Sequence, residues 1–337
     1  MNRRTLQTIR CCRRLLLLIA LTTAGASALS AQTFIPGSGR RVEGASDDFE
    51  DVQWSYTNQF PKSSYNIDKR TREPYGASSN GLWWESPKRG QPDVIKRVPT
   101  PAGGLPGSKG AMLMQSLRTG IPGRPAGRDN QDDLLFNGAN GAISMWQSPS
   151  MTVRVFLPPW DQWEDRTGAT FGWRAAVEAK TWKRKKSRHR RHFFSRRRRV
   201  IDQFYPGMFI QFNSKSDGEN DKDSAVFIIR ADNNGQDFVG PQITKTGWWT
   251  LGMSFTPDGH VHYYAHPGVG ILTARDHIAS SSYGGLKFER FTTFFFDIVN
   301  GDDGRHWSTP WIVDDPAIYV GTTPPRVQAV RSASPRR

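Results

Sequence analysis

At 337 residues with only two cysteines, the chain is long enough for one large domain or two small ones, and it is not a disulfide-stapled scaffold. Its formal charge of +15 is concentrated: +5 lies in the first 31 residues and +11 between Lys183 and Arg199, leaving about −1 for the rest. A uniformly basic surface is therefore excluded, and with it a dedicated nucleic-acid role for the body of the chain.

The N-terminus has the three parts of a secretory signal over residues 1–31. Arg3, Arg4, Arg10, Arg13 and Arg14 form a positive region without an acid, and Leu15 to Leu21 form a short apolar run. Small residues then offer cleavage after Ala28 or Ala31. The run is shorter than the ~20 residues of a bilayer span, and no later segment is longer, so no transmembrane segment is expected after cleavage. Arg3-Arg4-Thr5-Leu6 leaves the general and the twin-arginine export routes both open. The expected location is periplasmic, cell-surface or extracellular. Cys11 and Cys12 both fall inside the signal, which leaves the mature chain without a disulfide, a thiolate nucleophile or a cysteine metal ligand.

Residues 32–45 read as a polar leader. Residues 60–130 are rich in Pro, Gly, Ser, Arg and Lys, as in Gly103-Gly104-Leu105-Pro106-Gly107, and are expected to be long loops around a few short strands. From about residue 140 the apolar period becomes two, the mark of half-buried strands. Met151–Leu157, Ala169–Val177, Met208–Phe212 and Ala225–Arg230 are predicted strands. In the hairpin that follows, Trp249, Leu251, Met253 and Phe255 share one face, Pro257-Asp258-Gly259 turns the chain, and Val261, Tyr263 and Ala265 return on the buried side. Ala274–Ser280 is the one segment read as helix. Phe291–Val299 and Trp311–Val320 complete the set, and residues 322–337 read as a disordered tail.

Many short strands with turn signals and little helix predict an all-β protein, an antiparallel jelly-roll β-sandwich with long loops over residues 46–321. Asp47-Asp48-Phe49-Glu50 followed by Trp54 resembles the opening strand of the concanavalin A-like lectin/glucanase superfamily. Trp311-Ile312-Val313-Asp314-Asp315-Pro316 resembles the closing strand, and the Trp248–Ala265 hairpin resembles its central strands. The resemblance implies two curved sheets, with a concave face that often holds a glycan. It also implies a structural Ca²⁺ near the terminal strands, for which Asp48 and Asp315 are the positions to inspect. Two acidic runs, Asp217 to Asp223 and Asp302-Asp303, offer the oxygen donors calcium prefers but lack the order of an EF-hand loop.

The glucanases of that superfamily carry Glu-x-Asp-x-x-Glu on one strand, so that period two aligns nucleophile and acid. No such string occurs here; Glu178 and Asp297 each stand alone on their strands. If the apolar parity of each strand marks the core, Arg154, Arg174, Gln211, Arg230, His262 and Tyr264 point away from it and are the candidate ligand-binding residues. This palette is similar in residue types to that of jelly-roll polysaccharide lyases. There, Arg154 or Gln211 would stabilise the enolate-like charge of a uronate while His262 or Tyr264 moves protons. The three histidines His260, His262 and His266 share parity, but steps of about 7 Å along a strand are too wide for a three-histidine metal site. Trp83, Trp84, Trp160 and Trp163 lie in loop-like sequence, where they are available to stack on sugar rings.

The basic insertion, 183–199, holds Lys183, Arg184, Lys185, Lys186, Arg188, Arg190, Arg191, Arg196, Arg197, Arg198 and Arg199 without an acid. Such self-repelling charge suits a loop ordered by a partner, and in an exported protein that partner is an acidic or sulfated polysaccharide or another anionic envelope polymer. The expected function is exported glycan recognition, with acidic polysaccharide as ligand. A lyase acting on uronate-containing polymers and a structural cell-envelope protein docking through its basic loop are the alternatives.

Overall fold

A computed structural model describes residues 34–119, 131–138, 141–184, 197–232 and 236–321. The expected export signal, the expected tail 322–337 and, within the insertion, Lys185, Lys186, Arg188, Arg190, Arg191, Arg196 and the side chain of Arg184 lie outside these residues.

The strands in chain order begin with β1 (Arg40–Ser46), β2 (Tyr56–Thr57), β3 (Ala77–Ser78), β4 (Trp83–Glu85), β5 (Val94–Val98) and β6 (Ala111–Gln115). Next come β7 (Gln131–Phe136), β8 (Ile143–Ser144), β9 (Ser150–Leu157), β10 (Gly168–Arg184), β11 (Arg197–Phe204), β12 (Gly207–Asn213) and β13 (Ser224–Arg230). The last are β14 (Asp237–Ile243), β15 (Gly247–Phe255), β16 (Val261–Pro267), β17 (His277–Ser281), β18 (Phe288–Val299) and β19 (Trp311–Val320). They form two antiparallel sheets. Sheet A runs β17-β16-β15-β9-β19-β6-β5 with β1 added on β19. Sheet B runs β14-β13-β12-β10-β18-β7-β4-β3-β2, with β11 on β10 and β8 on β18. The expected all-β jelly-roll sandwich with long loops is what the chain forms.

Period two builds the interior. Met151, Val153, Val155 and Leu157 of β9 face Phe171, Trp173, Ala175 and Val177 of β10 across one continuous core, all buried. Aromatic rings run through it: Trp83 packs on Phe136 and Phe296, Phe296 on Phe171, Phe171 on Trp311, and Trp311 on Trp163. Each of these large side chains removes enough apolar area from water to contribute roughly 1.5–3 kcal/mol. That accounts for Trp83 and Trp163, which were expected to be available for stacking on sugars. Both are buried instead, Trp83 donating its indole N–H to Asp47 at 2.7 Å.

Three other expectations are corrected. The first strand is Arg40–Ser46, paired with β19, so the sandwich begins before residue 46 and takes in part of the expected leader. Asp47–Glu50 lies after that strand; there Asp47 gathers Trp54, Trp83, Asn80 and the Phe49 N–H, which suits a turn rather than a strand. Ala274–Ser280 is not a helix. Thr273 caps a single turn over Ala274–Asp276, and His277–Ser281 then pairs with β16, where the sheet offers its edge.

Candidate functional site

Each sheet has one face toward the core and one away from it. The six residues expected to point away all sit at non-core positions or near them, but they divide between the sheets. Arg174 (β10), Gln211 (β12) and Arg230 (β13) belong to sheet B, whereas Arg154 (β9), His262 and Tyr264 (β16) belong to sheet A. The core separates the two groups. The lyase constellation of Arg154, Gln211, His262 and Tyr264 is therefore not assembled, because strand parity tells inside from outside but not which sheet a strand joins.

The sheet A group is engaged locally. Arg154 Nη1 binds Asp315 at 2.6 Å, and Arg41 holds the other oxygen of Asp315 at 2.9 Å. His262 Nδ1 meets Ser280 Oγ at 2.7 Å, and burial, with His277 and His260 nearby, pushes its pKa down so that it stays neutral. Tyr264 is buried, which pushes its phenol up. Of the two positions expected for calcium, Asp315 does not suit a cation. Asp315 is occupied by two guanidinium groups, and an oxygen of Asp48 caps the Glu50 N–H. Among the described residues, no group of three or more His, Cys, Asp or Glu side chains is arranged to hold a metal.

The sheet B group converges. Phe209, on the non-core side of β12, lies between two cations: the guanidinium carbon of Arg230 is 5.1 Å from its ring centroid and that of Arg174 is 5.7 Å away. A cleft of about 340 Å³ opens here, lined by Gln131, Arg166, Phe209, Gln211, Ile228, Arg230, Asp237 and Asn300 among others. Amides, paired ions and an aromatic ring surround this one concavity. Arg230 is paired with Asp237, and Arg166 with Glu164.

Next to the cleft lies a buried charge cluster absent from the sequence reading. Asp297 of β18 stands opposite Asp133 of β7 and opposite Gly172 of β10. A Cβ at Gly172 would lie 2.6 Å from Asp297 Oδ2 and 2.7 Å from the Phe209 ring, so the glycine makes the room both occupy. Arg174 Nη1 is 3.7 Å from Asp297, while its Nε and Nη2 donate to the Tyr205 carbonyl at 3.2 and 3.0 Å. Desolvation first, and then the negative Asp133, hold the Asp297 pKa well above the carboxylate range. The same burial disfavours a charge on Asp297, whose approach to Arg174 is the long 3.7 Å contact.

Tyr205 completes the patch. Its ring packs edge-on against Phe295 and lies 5.5 Å from the Arg174 guanidinium. Lys88 Nζ is 2.5 Å from its phenol oxygen, and the phenol donates to Gln203 at 3.0 Å. Lys88 sits in loop sequence more than a hundred residues away from Tyr205, so no local pattern marks the pair. Beyond it, Tyr75, exposed Trp84, Leu135 and Thr293 line a further hollow of about 500 Å³ on the same sheet. Trp84 is the expected sugar-stacking tryptophan that remains exposed on this face.

Comparison by sequence finds no matching family model and no matching curated protein. Among solved structures, the chain is similar to an alginate lyase mutant in complex with alginate tetrasaccharide, at 9% identity and a TM-score of 0.36 over 81% of this chain and 95% of that one. An alginate lyase from Pseudomonas aeruginosa matches at 8% identity and a TM-score of 0.34, over 68% of this chain and 86% of that one. The binding domain of botulinum neurotoxin serotype D matches at 9% identity and a TM-score of 0.34, over 75% of this chain but only 46% of that one. The likeness is a loose one of β-sandwich architecture.

Proposed function

We propose that this is an exported glycan-recognition protein with a concanavalin A-like sandwich, which holds an acidic polysaccharide on the non-core face of sheet B. The observation that carries the reading is the convergence of Arg174, Gln211 and Arg230 around Phe209 beside one cleft. An aromatic ring accepts the apolar face of a sugar, amides match its hydroxyls, and guanidinium groups match a carboxylate in bidentate fashion. The preference for an acidic ligand follows from the charge count at the centre. Burial disfavours the charge that Asp297 would set against Arg174, and exposed Lys88 contacts a phenol rather than a carboxylate. Isothermal titration with alginate and polygalacturonate oligosaccharides tests this. A lost charge-assisted hydrogen bond costs about 1.5–3 kcal/mol, so Arg230→Ala is expected to weaken binding tenfold or more. His262→Ala, on the other sheet, is expected to leave binding unchanged. The opposite pattern would place the ligand on sheet A.

A second reading, β-elimination on uronates, is favoured by one contact. Tyr205, held by Lys88 and next to Arg174, is placed so that its phenolate form would take the proton from the carbon beside the carboxylate while cations steady the developing charge, and would return that proton to the glycosidic oxygen as its C–O bond breaks. Incubation with uronate polymers would then raise ultraviolet absorbance through an unsaturated product, and Tyr205→Phe would abolish the rise while retaining binding. A flat trace with polymers that the protein binds removes the lyase reading and leaves recognition.

A further inference from the structure

Strands β10 and β11 pair in unbroken register from Val177↔Phe204 to Arg184↔Arg197, whereas β18 leaves β10 at Ala179↔Phe288. Past that point the two strands continue as a two-stranded arm. Alternation carries the non-core face of sheet B along it. Lys180 and Trp182 share parity with Arg174, and their partners across the arm are Ile201 and Arg199. Trp182 is 62% exposed and Ile201 54% exposed, on a ribbon too narrow to bury either. The Arg199 guanidinium lies 5.3 Å from the Trp182 ring centroid.

The charge here is available to a ligand. Lys180 is paired with Glu289 and Lys183 with Asp202, but Arg197, Arg198 and Arg199 are exposed, with no carboxylate in ion-pair contact among the described residues. The intervening sequence adds further cations and no acid. An exposed tryptophan beside an exposed guanidinium offers a flat apolar face for a sugar ring and a fork for its carboxylate or sulfate.

We propose that the arm is a second contact for the acidic polysaccharide, so that a chain seated over Arg230, Phe209 and Arg174 runs on along β10 to Trp182 and Arg199. The inference rests on the sheet B reading and adds the polymer's length as a determinant of affinity. Eight residues of extended strand separate Arg174 from Trp182, about 26 Å, so a trisaccharide filling the cleft does not reach the arm and a polymer does. Single-stranded nucleic acid also binds aromatic and cationic side chains, and it enters the test as a competitor.

Affinity is measured for alginate and polygalacturonate, each as polymer and as trisaccharide, over a range of salt. The Trp182→Ala/Arg199→Ala double variant is expected to bind trisaccharide as the wild type does, to bind polymer at least tenfold more weakly, and to show a shallower salt dependence. Both residues are exposed, so the variant is expected to keep the wild-type unfolding midpoint. Unchanged polymer affinity in the variant overturns the arm inference and leaves the sheet B reading intact. Tighter binding of single-stranded DNA than of either polymer, abolished by the same substitutions, also overturns it. A wild-type protein that binds neither polymer nor trisaccharide removes both.

Discussion

A single buried lysine fastens the long loops to the sandwich. Lys62 is 2% exposed, and its Nζ donates to Asp132 at 2.7 Å and to the Arg118 carbonyl at 2.7 Å, with Asp93 at 2.9 Å. Removing one partner of a buried ion pair leaves the other charge uncompensated. Lys62→Met is therefore expected to cost about 3–5 kcal/mol in urea unfolding. None of this was legible in the sequence, because Lys62 and Asp132 are seventy positions apart and Lys62 lies in a stretch that reads as loop. The candidate ligand residues were half legible. Arg174, Gln211 and Arg230 point away from the core as parity required, yet so do Arg154 and His262 on the opposite sheet. Neither Asp133, Lys88 nor Tyr205 stood out, since a site assembled across β7, β10, β12 and β18 has no spacing in sequence.

Among the elements, alternation predicts the buried face where that face is wholly apolar, as in β9 and β15. It was read less well where both faces carry large residues. In β18, Phe294 and Phe296 enter the core while Phe295 packs on Tyr205, so the run Phe294-Phe295-Phe296-Asp297 conceals an outward residue between inward ones. Two register shifts against β10 also interrupt that strand's alternation. The length of β10 was underestimated for a different reason. Charge repulsion in the basic insertion argues for a loop, yet the paired register reaches Arg184↔Arg197, supported by Trp182 against Arg199 and by Lys183 against Asp202.

For the whole molecule, two sheets around one core bury several carboxyl groups without full compensation, and this sets a pH dependence. Burial pushes Asp132 up to about 7 and Asp297 well above the carboxylate range. Unfolded, both would ionise near pH 4. The folded state thus binds more protons than the unfolded chain above that pH, and stability falls as pH rises through the folded pKa values. His262, pushed down by burial, acts in the opposite direction only below about pH 6.5, and carboxylates with lowered values act below about pH 4. Between pH 6.5 and 8 the raised aspartates are left to decide the sign. The urea midpoint is expected to be lower at pH 8 than at pH 6.5, and Asp297→Asn is expected to flatten the difference. An equal or rising midpoint in the wild type would contradict the upward shift of the buried aspartates.

Under the proposed function, acidic glycan binds sheet B on the face that carries Arg174, Phe209 and Arg230. Hydrogen–deuterium exchange with and without saturating alginate or polygalacturonate oligosaccharide locates the ligand directly. Slower exchange in Gly207–Asn213, Ser224–Arg230 and the Arg174 region of β10, with β15 and β16 unchanged, is the expected result. Protection confined to β16 of sheet A, or no protection with either ligand, would contradict it.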